Sequence, residues 1–287
     1  MTLPEPDSFL SGDAGDVSDP WRVAKRRAGE LAYGALDFAS ATGRRTARLA
    51  DRTRRLEVLV LGIYRPGSLL PDALPALRSA RHRVSFALGS TAPESDPELA
   101  GVTVATGLGG GKFENLNALL AAAPERRAEW TLLVDDDVAL PPDFLDRFLA
   151  ICEVFALDLA QPAQTLMSHA AWKITRRRPA ALARLTRFVE IGPVTAFRRG
   201  PAAELLPFPE LRFGWGLDLH WAALAAERGW RLGVVDAVRV RHEARTVASG
   251  YPRREAEEEA ARFLSERPYL PSERARDTLA VYRRVPG

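Results

Sequence analysis

The chain is 287 residues long, 46% hydrophobic and 27% charged, with a formal net charge of +3. That composition buries a core of domain size and excludes a fibrous repeat or an intrinsically disordered chain. A net charge of +3 is too small to point to nucleic acid.

Residues 1–20 carry acids and no bases and predict a disordered lead-in. Residues 21–56 are strongly basic and predict a helical arm. Trp21, Ala24, Ala28, Leu31, Ala35 and Phe38 recur at three- and four-residue steps along one side of it, and Arg22, Lys25, Arg26 and Arg27 crowd its start. The expected arrangement packs the apolar side on the main domain and leaves a solvated basic face. The alternative is a surface for anionic lipid headgroups or an acidic acceptor.

From residue 57 the pattern alternates. LEVLVLGIY (56–64) reads as a strand closed by a turn, SLLPDALPALRSA as a short helix, and HRVSFALG and VTVAT as two more strands. GLGGG leads into the helix ENLNALLAAA; the strand WTLLV (130–134) runs into three aspartates and the proline-led helix PPDFLDRFLAICEVF. The lone Cys152 lies in that helix, which predicts a buried thiol, no internal disulfide and a reducing compartment. No apolar run reaches the roughly 18 residues of a membrane span. The start is not that of a signal peptide. The expected location is the cytoplasm, with room for peripheral contact at the inner membrane face. RFVEIGPVTAF reads as one strand, FGWG as a loop, DLHWAALAAERG as a helix, and RLGVVDA as a strand followed by VRVRH. The tail reads as two helices, REAEEEAARFLSER and SERARDTLAVYRR. Such alternation predicts an α/β domain with a parallel sheet and ligands beyond the carboxyl ends of its strands.

Two segments fall at those ends. GLGGGK is no P-loop, because Thr106 replaces its first glycine and Phe113 its hydroxyl residue; Lys112 also spoils a dinucleotide fingerprint. What remains is one cation at a helix start whose backbone N–H groups suit an anion. The second segment is Asp135, Asp136 and Asp137, three carboxylates behind a buried strand, which repel one another unless a cation is present. In extended backbone Asp135 and Asp137 point the same way, about 7 Å apart, and can share one hard divalent ion, while Asp136 points opposite.

A strand ending in Asp-x-Asp, preceded by a helix carrying Lys112, Asn115 and Asn117, resembles glycosyltransferases of the GT-A fold, family 2-like members included. The blocks LDLAQPAQTLMSHAAWKITRR, RFVEIGPVTAF, FGWGLDLHW and LGVVDAVRVRH resemble successive blocks of the DUF707 group. The resemblance implies a catalytic domain over residues 57–250, a helical extension over 251–287, and a nucleoside-diphosphate sugar donor, UDP preferred. It implies Asp135 and Asp137 as ligands of Mn2+ or Mg2+, with His242 as a third, and Asp135 and Asp136 against the donor. Lys112 then compensates diphosphate charge, Asn115 and Asn117 orient the nucleotide or the acids, and Tyr64 stacks on the base. In GWGLD, Asp218 becomes the general base of an inverting hexosyl transfer, kept ionised by its helix dipole, with helix capping as the competing role. Trp215 offers a face to a sugar and Glu190 a contact to donor or acceptor hydroxyls. The expected acceptor is a glycan, lipid-linked or small-molecule hydroxyl. The rival readings are a nucleotidyltransferase and a non-catalytic nucleotide-, metal- or membrane-binding module.

Overall fold

The computed structural model describes residues 3–11, 20–123, 128–243 and 252–285. Helices α1 (Pro20–Ala39) and α2 (Thr42–Arg52) precede β1 (Glu57–Tyr64), α3 (Leu70–Leu77), β2 (Arg83–Ser90), β3 (Thr103–Ala105) and α4 (Lys112–Ala122). There follow β4 (Trp130–Val134), the short β5 (Val138–Ala139), α5 (Phe144–Val154), β6 (Leu159–Gln164), β7 (Ala183–Thr186), β8 (Val194–Arg198) and α6 (Arg199–Leu205). Helix α7 (Leu217–Arg228), β9 (Leu232–His242), α8 (Arg253–Ser265), α9 (Ser272–Ala275) and β10 (Thr278–Tyr282) complete the chain.

One sheet runs in the order β10-β7-β9-β6-β8-β4-β1-β2-β3, with β5 pairing β9 off this path. Following the pairings, among the described strands β8, β7 and the short β5 run against the rest. The sheet is therefore mostly co-directional, and the ends of β1, β4, β6 and β9 share one edge. Strand β1 shows why it sits centrally: Leu59 and Leu61 join the core on one face, Val58 and Val60 the core on the other. Cys152 is fully buried in α5, and its thiol pKa is pushed well up by that burial.

Several expectations change. Phe9 of the acidic lead-in is buried at 4% exposure, and Ser272 Oγ donates to Asp7 O, so this part of the segment is packed on the domain; residues 12–19 lie outside the described ones. RFVEIGPVTAF is not one strand. Pro193 cannot donate to a ladder, and a loop over 187–193 with a cis Gly192–Pro193 bond separates β7 from β8. The last predicted helix shrinks to the four residues of α9, because Thr278–Tyr282 pairs antiparallel with β7 and Tyr282 stacks on Phe155 at 4.6 Å. Helix α1 turns the opposite face inward from the one expected: Trp21, Leu31 and Phe38 are 78%, 77% and 85% exposed, while Glu30 and Asp37 face the domain. Among the described residues no helix is long and apolar enough to cross a membrane.

Candidate functional site

The three aspartates leave β4 in a turn, not in extended backbone. Asp135 N–H donates to Pro193 O, and Val138 pairs with His242 across β5 and β9. Strand β9 is 11 residues long and overshoots the sheet, which is what carries His242 to the turn. One donor atom each from Asp135, Asp137 and His242 lies within 4.8 Å of the others. The convergence thus comes from strand pairing, not from the alternation expected of an extended segment.

Histidine 242 is held as a ligand should be. Its Nδ1 lies 3.1 Å from His169 O and its backbone N–H donates to Ser168 Oγ at 3.2 Å. With Nδ1 donating to that carbonyl, Nε2 turns towards Asp137 Oδ1 at 3.0 Å, where a divalent ion would take the place of the Nε2 proton. Burial works against a charge on His242, but contact with Asp137 and the field of Asp135 outweigh it and push its pKa up to about 9. Burial likewise works against Asp137, yet His242, Lys112 and Arg65 bring its pKa below the ordinary value. Asp137 Oδ1 is buried and accepts no aligned hydrogen bond. Two carboxylates and an imidazole with one donor atom each converging at this point fit a divalent cation: the donor set is oxygen-rich with one nitrogen, suited to Mn2+ or Mg2+.

Lys112 opens α4, and its Nζ lies 2.6 Å from Asp135 Oδ1 and donates to Ile191 O at 3.3 Å. The glycine loop is not the anion cradle expected of it. Gly110 N–H donates to Asn115 Oδ1, Gly111 N–H to Glu114 Oε2 and Lys112 N–H to Arg212 O, so these three donors are already used. Asn115 also donates from Nδ2 to Gly110 O, and Asn117 clamps Phe208 through both its O and N–H. Both carboxamides hold loops in place. Tyr64 is 1% exposed with its hydroxyl against Thr103 Oγ1 at 2.8 Å. Its ring is part of the core and cannot stack on a base.

Asp136 grips Arg65: Nε donates to Oδ2 and Nη2 to Oδ1, both at 3.0 Å. The Arg65 side chain is 65% exposed beside the acids, and its pKa is raised chiefly by that bond to Asp136.

The loop Glu190–Pro193 joins these parts. An added Cβ at Gly192 would lie 2.7 Å from Asp135 Oδ2 and 3.4 Å from Lys112 Nζ, so a larger residue there would push the Asp135 carboxylate aside. Asp218 is the second residue of α7, not its cap, which is Gly216. It is 6% exposed, and burial pushes its pKa up to about 7 despite N–H donation from Leu219 and Ile191. The helix dipole therefore does not keep it fully ionised. Glu190, across Ile191, is pushed to about 8 by burial and by the Asp218 charge, and Gln164 Nε2 donates to its Oε2 at 2.9 Å. Trp215 is half-buried against the core in the loop before Asp218. That loop is fastened twice. Gly214, with φ +75°, lies so close to Phe113 that an added Cβ would overlap its ring, and Glu259 of α8 accepts the N–H groups of Arg212, Phe213 and Gly214. Arg65, Ile191, Gly192 and Glu259 escaped the sequence reading. The interruption of an apolar strand by EIGP was the one signal for the 190–193 loop.

No protein-family model matches the chain, so the likeness of its blocks to the DUF707 group rests on the sequence alone, and no curated protein is similar enough to count as a relative. Solved structures do match. TarS of S. aureus, residues 1–349 in complex with UDP-GlcNAc, is 15% identical, with a TM-score of 0.50, covering 74% of this chain and 66% of that one. GalNAc-T7 with UDP, GalNAc and Mn2+ is 12% identical, with a TM-score of 0.46, covering 69% and 45%. The chain spans less than two thirds of the length of either. The fold is the GT-A arrangement, a mostly parallel sheet flanked by helices, with the acid cluster at the carboxyl edge of its strands.

Proposed function

We propose that the chain is a metal-dependent glycosyltransferase that moves a sugar from a nucleoside-diphosphate donor, UDP preferred, to a hydroxyl acceptor. The observation that carries this reading is the convergence of Asp135, Asp137 and His242 at the edge where a GT-A sheet meets its ligand, with the Lys112 amine alongside. These three side chains would hold Mn2+ or Mg2+, which when bound would neutralise charge on a diphosphate leaving group. Lys112 adds a second positive charge near the same acids, and Arg65, oriented by Asp136, a third.

Asp218 accepts the proton of the acceptor hydroxyl as its oxygen attacks the anomeric carbon. A pKa of about 7 suits a base at neutral pH, since the group is substantially ionised yet still basic. Glu190, at about 8, keeps its proton longer and serves as a hydrogen-bond donor to a sugar or acceptor hydroxyl. Trp215 offers its ring to the sugar. Attack opposite the leaving group inverts the anomeric centre.

The test is a panel of UDP-, GDP- and dTDP-sugars with Mn2+ or Mg2+, read by metal-dependent release of the nucleoside diphosphate and by the anomeric configuration of the product. UDP release that is lost in Asp137→Asn supports the reading. Silence across the panel, or release of pyrophosphate instead, removes it.

A further inference from the structure

Helix α1 carries its polarity outside in. Its inner side is charged: Glu30 Oε2 meets Arg177 Nη1 at 2.6 Å, Asp37 pairs with Arg177, and Ala180 N–H donates to Asp37 Oδ1 at 2.8 Å. Arg177, 3% exposed, also lies over the Tyr33 ring at 5.5 Å. Val23, Arg26, Gly29, Glu30, Tyr33, Gly34 and Asp37, at helical spacing, are the partly covered positions. The outer side presents Trp21, Leu31, Leu36 and Phe38 at 78%, 77%, 51% and 85% exposure, interleaved with exposed alanines and with Lys25 and Arg27. A helix that only braces the domain buries its apolar stripe; this one buries ion pairs and shows the stripe to its surroundings.

Charge decides what meets that stripe. On α1 and α2 the one exposed acid among the described residues is Asp51, which lies 3.7 Å from Arg81. Lys25, Arg27, Arg44, Arg48 and Arg52 are exposed. A second copy docked about a two-fold axis would set these like charges against one another. An anionic lipid surface pairs with them and receives the aromatic and leucine side chains at its headgroup boundary. Twenty helical residues span about 30 Å, ample contact for a helix lying in the surface plane.

We propose that α1 is an interfacial anchor that lies on an anionic bilayer with Trp21, Leu31 and Phe38 inserted and Lys25 and Arg27 on lipid phosphates. The helix sits on the segment that orients His242: Glu30 accepts from Leu166 N–H, and in the same loop Ser168 Oγ holds the His242 backbone N–H and His169 O its Nδ1. Resting on the transferase reading above, this places the site beside the lipid surface and favours a lipid-linked acceptor over a soluble one.

The anchor itself is tested without substrate, on the full chain carrying Asp137→Asn, so that loss of transfer and loss of docking are read apart. Co-sedimentation is measured with vesicles of phosphatidylcholine alone and of phosphatidylcholine with phosphatidylglycerol. Binding to the anionic vesicles only, weakened by salt, is expected. Trp21→Ser with Phe38→Ser should lower the partition coefficient roughly tenfold or more at an unchanged melting temperature. Lys25→Glu with Arg27→Glu should lower it about fivefold or more per charge. No vesicle binding, or equal binding by both double variants, overturns the proposal. A concentration-dependent dimer abolished by Trp21→Ser with Phe38→Ser also overturns it and assigns the face to a second copy.

Discussion

Asp218→Asn should make the protein more stable at alkaline pH while abolishing transfer. In the folded protein the carboxyl titrates at about 7 against an ordinary 3.8, because burial disfavours its charge. A folded pKa above the unfolded one means that this group's contribution is most favourable at low pH and is lost as pH rises towards 7. From pH 5 to 8.5 the wild type should lose about 3 kcal/mol from this group, at about 1.4 kcal/mol per pH unit up to the folded pKa. Asparagine cannot ionise, so the variant escapes that loss. It keeps one oxygen for the N–H groups of Leu219 and Ile191 and gives up the other, a cost of about 1 kcal/mol at every pH. Because the wild type has already lost about 1.6 kcal/mol between pH 3.8 and 5, the variant should be close to the wild type or slightly more stable at pH 5 and finish about 3 kcal/mol more stable at pH 8.5. Urea unfolding at the two pH values measures this directly. In the wild type, kcat/KM should rise through about pH 7 as the base ionises. Parallel stability curves, or normal turnover in the variant, would refute the reasoning.

Other substitutions probe the supports of the site. Gly192→Ala puts a methyl 2.7 Å from Asp135 Oδ2, so it should displace that acid and weaken Mn2+ affinity about tenfold at a small cost in stability, about 1 kcal/mol or less; unchanged affinity by titration would clear the loop of that role. Glu259→Gln leaves one acceptor oxygen for three N–H groups and sets an amide against a donor. A loss of about 1–3 kcal/mol is expected, with kcat falling more than KM rises because Trp215 and Asp218 follow that loop; an unchanged melting temperature would contradict it. Asn117→Ala should lower stability by about 1–2 kcal/mol through the freed Phe208 backbone yet leave nucleotide affinity intact, and weaker UDP binding would restore the asparagine to the donor site.

The sheet and the acid cluster were legible because their signals are local. Apolar runs such as LEVLVLGIY and WTLLV can only be buried strands, and three aspartates directly behind one of them need a charge partner. His242 was legible as a candidate ligand beyond the last strand, but neither the continuation of that strand through VRVRH nor the pairing that delivers it was. The asparagines misled because an amide that pins a loop and one that binds a ligand look alike in sequence; only the positions of Gly110 and Phe208 separate them. Tyr64 misled because the last residue of a central strand belongs to the core as often as to the site. Helix α1 was read with the correct periodicity and the wrong side inward, since nothing within residues 20–39 reveals that Arg177, 140 positions beyond Asp37, takes its acids. Glu259 lies beyond any local window for the same reason.

The central claim is that Asp135, Asp137 and His242 hold one divalent ion against a diphosphate. Titrating Mn2+ into the protein with UDP present, followed by calorimetry, tests it most directly. The account predicts one site, heat that depends on UDP, and loss of that heat in Asp137→Asn and His242→Ala with the fold retained by circular dichroism. No heat in the wild type, or the same isotherm in all three proteins, would contradict it.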